Sequence, residues 1–285
     1  MEIIKKIKDC KLIIKKLREK GYIIGFVPTM GFLHEGHLNL IRMAKKECDK
    51  VIISIFVNPT QFEPGEDFKK YPRNIERDSI LAEKEGVDYI FYPAAGEMYK
   101  SRHKTLVEVK DLGSIMCGRY RPGHFAGVAT VVLKLFNIIN AHKAYFGEKD
   151  YQQMVIIKRM VEDLNLDIEI VSGPTIREKD GLALSSRNKY LSREERENAV
   201  ILYRCLNLAK DMIIKGEEDL RKVQKKVLGQ LKKNKFVRKI DYFEFRDPLT
   251  LDEKKSVGKN DRKILAAVAA WVGSTRLIDN MVIKL

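Results

Sequence analysis

The sequence predicts an α/β protein, a parallel sheet followed by a smaller α+β part, on three observations. Short apolar runs with little polar alternation recur at 23–27, 51–57, 89–92, 143–146 and 167–171, as strands buried on both faces require. Helical patterns separate these runs, which is the order of a parallel, Rossmann-like sheet. After about residue 175, beyond Gly173-Pro174, the order changes to helices followed by three strand-like runs.

The elements follow in order. Apolar residues at helical spacing over 3–20 predict a first helix, ended by Gly21. The run 23–27 is a strand that stops at Pro28, and a helix is expected over 34–48. The strand 51–57, "VIISIFV", precedes a helix over 75–85 that ends before Gly86, and then the strand 89–92. An apolar helix over 128–140, the strand 143–146, a helix over 151–164 and the strand 167–171 complete the sheet part. Ser192 and Glu195 form a capping box that opens a helix running to Gly216. A basic helix over 219–233 and strands over 240–245, 264–272 and 275–283 follow. The expected domains are 1–175, Rossmann-like, and 176–285, α+β.

The 285 residues suit about two domains. A net charge of +15 points to anionic partners without choosing among nucleic acid, phosphorylated small molecules and membrane surfaces. The basic residues are spread along helices among acids, without the interleaved aromatics of a nucleic-acid face, so no nucleic-acid partner is expected. Four widely spaced cysteines offer no Cys-x-x-Cys pair and read as buried, reduced thiols of a cytoplasmic protein. The N-terminus lacks the apolar core of a secretory signal, and no window reaches the ~20 apolar residues of a membrane span.

The stretch "PTMGFLHEGH" at 28–37 carries the chemistry, with two of the chain's five histidines. It lies at the carboxyl end of a predicted parallel strand, where open α/β sheets bind ligands. The helix that follows offers free N–H groups and a positive dipole end, which suit phosphate. His34 and His37 fall on one face of its first turn, and Gly31 and Gly36 let a ligand approach the backbone. A zinc pair is the competing reading. His-x-x-His is not the i, i+4 spacing of a helical metal pair, and no cysteine or carboxylate cluster stands near.

"PTMGFLHEGHL" resembles the nucleotidyltransferases with a His-x-Gly-His signature. Further segments narrow the resemblance to the pantoate–β-alanine ligase family: "SIFVNPTQF" at 54–62, "YPR" at 71–73, "RPGHFAGVATVVLKLFNI" at 121–138, "FGEKDYQQ" at 146–153 and "PTIREKDGLALSSRNKYLS" at 174–192. They cover most of 22–192 in order, and "DYFEFRDP" fits in the last hundred residues. Phe32, Lys179 and Leu184 depart from the family's usual Ala, Ala and Met without removing a functional group.

The resemblance implies a cytoplasmic, homodimeric ligase. It would join pantoate to β-alanine through a pantoyl-adenylate, with ATP as substrate, Mg²⁺ on its phosphates and the C-terminal domain as a lid. It implies His34, His37 and Lys149 as catalytic residues. The ATP-binding set would be Met30, Gly31, Phe32, Leu33, His34, Glu35, Gly36, His37, Gly147, Glu148, Lys149, Asp150, Ile176, Leu184, Ser185, Ser186 and Arg187. Gln61, Gln153, Asn58 and Arg121 would form the pantoate and β-alanine pocket. The metal ligands stay open, with Asp78 as an acid behind the magnesium. Two rivals remain: a sister nucleotidyltransferase that stops after nucleotidyl transfer, and a basic nucleic-acid-binding protein on a vestigial nucleotide fold.

Overall fold

The computed structural model describes residues 1–63 and 65–285. The chain forms two compact units, Met1–Glu148 with Gln153–Pro174, and Lys149–Gln152 with Thr175–Leu285. The elements in chain order are β1 (Glu2–Ile4), α1 (Ile7–Glu19), β2 (Ile24–Thr29), α2 (Glu35–Glu47), β3 (Lys50–Ile55), α3 (Ile75–Lys84), β4 (Tyr89–Phe91), α4 (Ala95–Met98), α5 (Cys117–Tyr120), α6 (His124–Ile139), β5 (Lys143–Gly147), α7 (Tyr151–Asp163) and β6 (Glu169–Gly173). Then come α8 (Arg193–Ala199), α9 (Ile201–Ile214), α10 (Leu220–Lys233), β7 (Val237–Arg246), β8 (Lys263–Val272) and β9 (Thr275–Lys284).

The first sheet is parallel throughout, in the order β1-β4-β3-β2-β5-β6. From β2 the chain steps outward through β3 and β4, then returns to β5 on the other side of β2. The strand order therefore reverses between β2 and β5, and the crevice at their carboxyl ends is where such sheets bind ligands. On one face Val27, Ile53 and Ile90 share a core with Leu38, Ile41 and Ala44 of α2 and Ala82 of α3. On the other, Phe26 meets Phe136 of α6 edge-on, ring centroids 6.5 Å apart. Burial on both faces explains the near-continuous apolar runs. Pro28 sits inside β2, beyond Gly25 and Phe26, the part of the strand that pairs with β5.

In the second unit the strands run antiparallel in the order β7-β8-β9. Val223, Val227 and Leu231 of the basic helix α10 enter its core with Leu202, Leu206, Phe243 and Val268, so the lysines form a solvated outer face. All four cysteines are buried thiols outside any disulfide. Burial pushes the Cys10 thiol up to about 12 and the Cys205 thiol up to about 11. No helix among the described residues is long and apolar enough to cross a membrane.

Three elements differ from expectation. The helix expected over 3–20 starts only at Ile7, because Glu2–Ile4 pair with Tyr89–Phe91 as an edge strand. The Ile7 N–H that opens α1 donates to Glu97 Oε1 at 2.9 Å, so that helix end is set by a residue ninety positions away. The helix expected over 192–216 is interrupted at Val200, whose N–H turns back to Asn198. That turn puts consecutive Ala199 and Val200 in the core together. Finally, α6 begins at His124, four residues early, behind Gly123 in the left-handed region (φ +79°).

Candidate active site

The loop after β2 is built from its own backbone outward. Thr29 Oγ1 donates to Ser54 O (2.8 Å) and accepts the Gly31 N–H (3.1 Å), which turns the chain at the strand end. Gly31 has φ +83°, and a Cβ there would stand 2.9 Å from Ile55 Cγ2 and 3.1 Å from Asp78 Oδ2. Phe32 also lies in the left-handed region, at φ +52°. Its N–H donates to Asp78 Oδ2 (2.7 Å) and the Leu33 N–H donates to Asp78 Oδ1 (2.8 Å). Asp78 is 1% exposed. Burial pushes its carboxyl above the ordinary range, opposed by these two N–H groups and by Arg77. Leu33 is fully buried and presents no side chain to a ligand.

His34 is the N-cap of α2. Its Nδ1 accepts the Gly36 N–H at 3.2 Å, and His37 Nδ1 accepts the His34 N–H at 3.3 Å. Two histidines thus form the reciprocal box usually made by Ser and Glu. The rings lie 4.1 Å apart, tilted by 32°. Because each Nδ1 accepts a backbone proton, each neutral ring carries its own proton on Nε2, and both present a donor away from the backbone. A Cβ on residue 36 would touch the His34 ring at 3.0 Å, so Gly36 permits the stack. Glu35 pairs with Arg42, which also holds Glu85 at 2.5 Å.

The turn after β3 (Pro59–Gln61) docks on the first turns of α6. The buried Asn58 Nδ2 donates to Gln61 Oε1 (3.0 Å) and to Gly127 O (3.2 Å), and Tyr99 OH donates to Asn58 Oδ1 (2.8 Å). Gln61 Nε2 reaches Met30 Sδ at 3.3 Å, which brings this turn to the loop after β2. Arg121 donates through Nε and Nη2 to Glu66 (2.6 and 2.7 Å) and through Nη2 to Gln61 O (3.3 Å), and His124 Nδ1 lies 2.8 Å from that oxygen. Asn58 and Arg121 therefore hold Gln61 from behind. Burial alone would raise the Glu66 carboxyl, but the hydrogen bond and charge of Arg121 outweigh it and hold the group below its ordinary value. With that sign, the clamp is intact above the ordinary carboxylate range and is lost only as pH falls through the lowered value. Glu66, His124 and Tyr99 carry no local signal of this role.

Gly147 and Glu148 continue from β5 at the switch point, and Gln153 stands half-buried in the first turn of α7. Beside the loop, a cavity of about 450 Å³ is lined by Met30, Gly31, Phe56, Arg73, Asp78 and Tyr92 among others.

The remaining expected residues belong to the second unit. Lys149 Nζ lies 3.5 Å from Asp150 Oδ1, and its carbonyl accepts Asn280 Nδ2 at 2.8 Å. Leu184 N–H donates to Ile176 O at 3.0 Å, closing a turn that Arg177 clamps through two bonds to Asp279 (2.6 and 2.9 Å). Ser185 caps the short turn Ser186–Tyr190, accepting the Arg187 N–H at 3.3 Å, and Ser186 is buried. No group of three His, Cys, Asp or Glu side chains among the described residues is arranged to hold a metal ion.

Comparison with known proteins gives one family. A family model described as pantoate-beta-alanine ligase matches residues 2–282. A pantothenate synthetase of Caldicellulosiruptor saccharolyticus is 57% identical over 284 residues, covering 100% of both chains. One from Thermotoga petrophila is 53% identical over 283 residues, covering 99% of this chain and 100% of the other. The crystal structure of the Thermus thermophilus pantothenate synthetase superposes with a TM-score of 0.92 at 41% identity, covering 99% of each chain. That of a Francisella tularensis pantoate-beta-alanine ligase, complexed with beta-gamma ATP and beta-alanine, superposes with a TM-score of 0.79 at 36% identity, covering 99% of this chain and 97% of the other.

Proposed function

The chain belongs to the pantoate–β-alanine ligase family, and from that premise we propose that it condenses pantoate with β-alanine, with cleavage of ATP to AMP and pyrophosphate, through a pantoyl-adenylate. The observation that carries the two-step reading is the stacked pair His34 and His37 at a helix N-terminus. Attack of the pantoate carboxylate on the α-phosphorus builds negative charge on the phosphate oxygens as pyrophosphate leaves. Two Nε2–H donors and the dipole of α2 are in place before the reaction and need no reorganisation. Lys149 adds a point charge, and Ser185, Ser186 and Arg187 grip the β- and γ-phosphates. Gly147, Glu148, Asp150 and Ile176 belong to the nucleotide site by the family's pattern. Magnesium would enter with ATP as part of the substrate and offset phosphate charge.

In the second step the β-alanine amine attacks the acyl carbon of the mixed anhydride. The acyl C–O bond to phosphate breaks, AMP leaves with the electron pair, and the amine loses a proton as the amide forms. The protein positions the amine and excludes water. This reading also carries a homodimer, which sedimentation of the purified chain tests.

Isotope exchange between pyrophosphate and ATP tests the adenylate. It should require pantoate and Mg²⁺ but not β-alanine. Absence of exchange, together with no acid-quenchable adenylate in a single turnover, would refute the two-step scheme even if pantothenate were made.

Gln61 and Gln153 are proposed to bind the pantoate hydroxyls, since a neutral amide both donates and accepts. Gln61→Ala and Gln153→Ala should each raise the pantoate KM by the ~1–3 kcal/mol of a hydrogen bond lost in a dry site, with little change for ATP. Equal losses for both substrates would refute the assignment.

A further inference from the structure

The nucleotide loop holds an unfavourable backbone. Phe32 is a bulky residue at φ +52°, a region that side chains other than glycine, asparagine and aspartate rarely adopt. Its neighbour Leu33 is fully buried and leads directly into the His34 cap. What opposes reversion of this turn comes from α3, some 45 residues later. Asp78 takes the Phe32 N–H on one carboxylate oxygen and the Leu33 N–H on the other. Arg77 donates to Asp78 Oδ1 at 3.2 Å, and its guanidinium lies over the Phe32 ring, 4.9 Å from the centroid. Asn74 caps this helix by accepting the Arg77 N–H at 2.9 Å, which fixes where Arg77 and Asp78 point. Both Asp78 oxygens are committed to protein donors and the side chain is 1% exposed, an arrangement unsuited to a metal ligand.

We propose that Asp78 is the positioning residue of the nucleotide loop: with Arg77 it locks Phe32 in the left-handed conformation and thereby sets the place of the His34–His37 pair. This role rests on the reading of that loop as the ATP-binding loop. Asp78 does not touch substrate; it acts through residues 32–37.

The test has two arms. In the wild-type chain without substrates, amide exchange followed by NMR should show Phe32 and Leu33 protected by ~10²-fold or more over an open loop. This arm reads the brace alone, so it keeps its meaning even if the chain makes no pantothenate. Open-loop exchange at both amides would overturn the proposal, whether or not variants fold. In the second arm Asp78→Asn, which keeps the volume but cannot accept both N–H groups, should lower kcat for pantoate-dependent pyrophosphate exchange by up to ~10²-fold, the effect of a misplaced catalytic pair. Adding Phe32→Gly to Asp78→Asn should recover a large part of that loss relative to Phe32→Gly alone, because glycine adopts positive φ without strain. Loss made good by raised Mg²⁺ and untouched by Phe32→Gly would identify a metal-linked role and overturn the proposal.

Discussion

Replacing His37 by alanine should leave both units folded and cut turnover by roughly 10²-fold or more, the usual cost of deleting one preorganised donor to developing charge. The expected loss has two parts. The Nε2–H donor disappears, and so does the Nδ1 that accepts the His34 N–H at 3.3 Å. Losing that acceptor frees the backbone of the N-cap, so His34 is disturbed as well. Lys149→Ala should cost a similar factor for a simpler reason, since the ion pair its charge makes among the described residues is local, with Asp150 at 3.5 Å. The effects should fall on kcat more than on either KM, because in the proposed mechanism the donors serve charge that develops in the transition state. Steady-state kinetics on variants with unchanged circular dichroism measures this. Near-normal kcat/KM in either variant would remove that residue from the mechanism.

Gly127→Ala should damage the pantoate side as severely. Gly127 lies in the first turns of α6, under the turn that carries Gln61. A Cβ there would stand 2.2 Å from Thr60 O, 2.6 Å from its carbon and 2.8 Å from the Gln61 N, all backbone atoms. Backbone cannot rotate aside, so the turn must move bodily. The bond from Asn58 Nδ2 to Gly127 O and the clamp of Arg121 on Gln61 O are then strained together. Overpacking alone costs about 1–3 kcal/mol, and a displaced Gln61 should add a loss in pantoate kcat/KM of ~10²-fold. Gly229→Ala is the control. Gly229 sits exposed in α10 with open space around it, and alanine there should stabilise by roughly 0.5–1 kcal/mol. Denaturant unfolding and pantoate titrations of both variants separate the two outcomes. A Gly127→Ala protein with normal pantoate kinetics would show that the turn has slack the contacts do not reveal.

By itself the sequence determined what is local. The alternation of buried strands with amphipathic helices is a pattern within each segment, so the parallel sheet and the three strands of the α+β part were legible, while the antiparallel pairing of those three came from the structure. The loop after β2 was legible too: its glycines, its helix start and its histidine pair lie within ten residues, and the capping geometry joins positions three apart. Only the tertiary structure decided what joins distant segments. Ile3 and Ile4 fit a helical pattern as well as a strand, and pairing with β4, some 85 residues away, settled them. The family resemblance suggested Asp78 as an acid behind the magnesium and said nothing of the loop; its two bonds to the loop exist because β3 and β4 stack beside β2. Glu66, Tyr99 and His124 meet Asn58, Gln61 and Arg121 for the same reason. Backbone conformation and capping are decided by neighbours along the chain, whereas a buried polar group takes whichever partner the fold delivers.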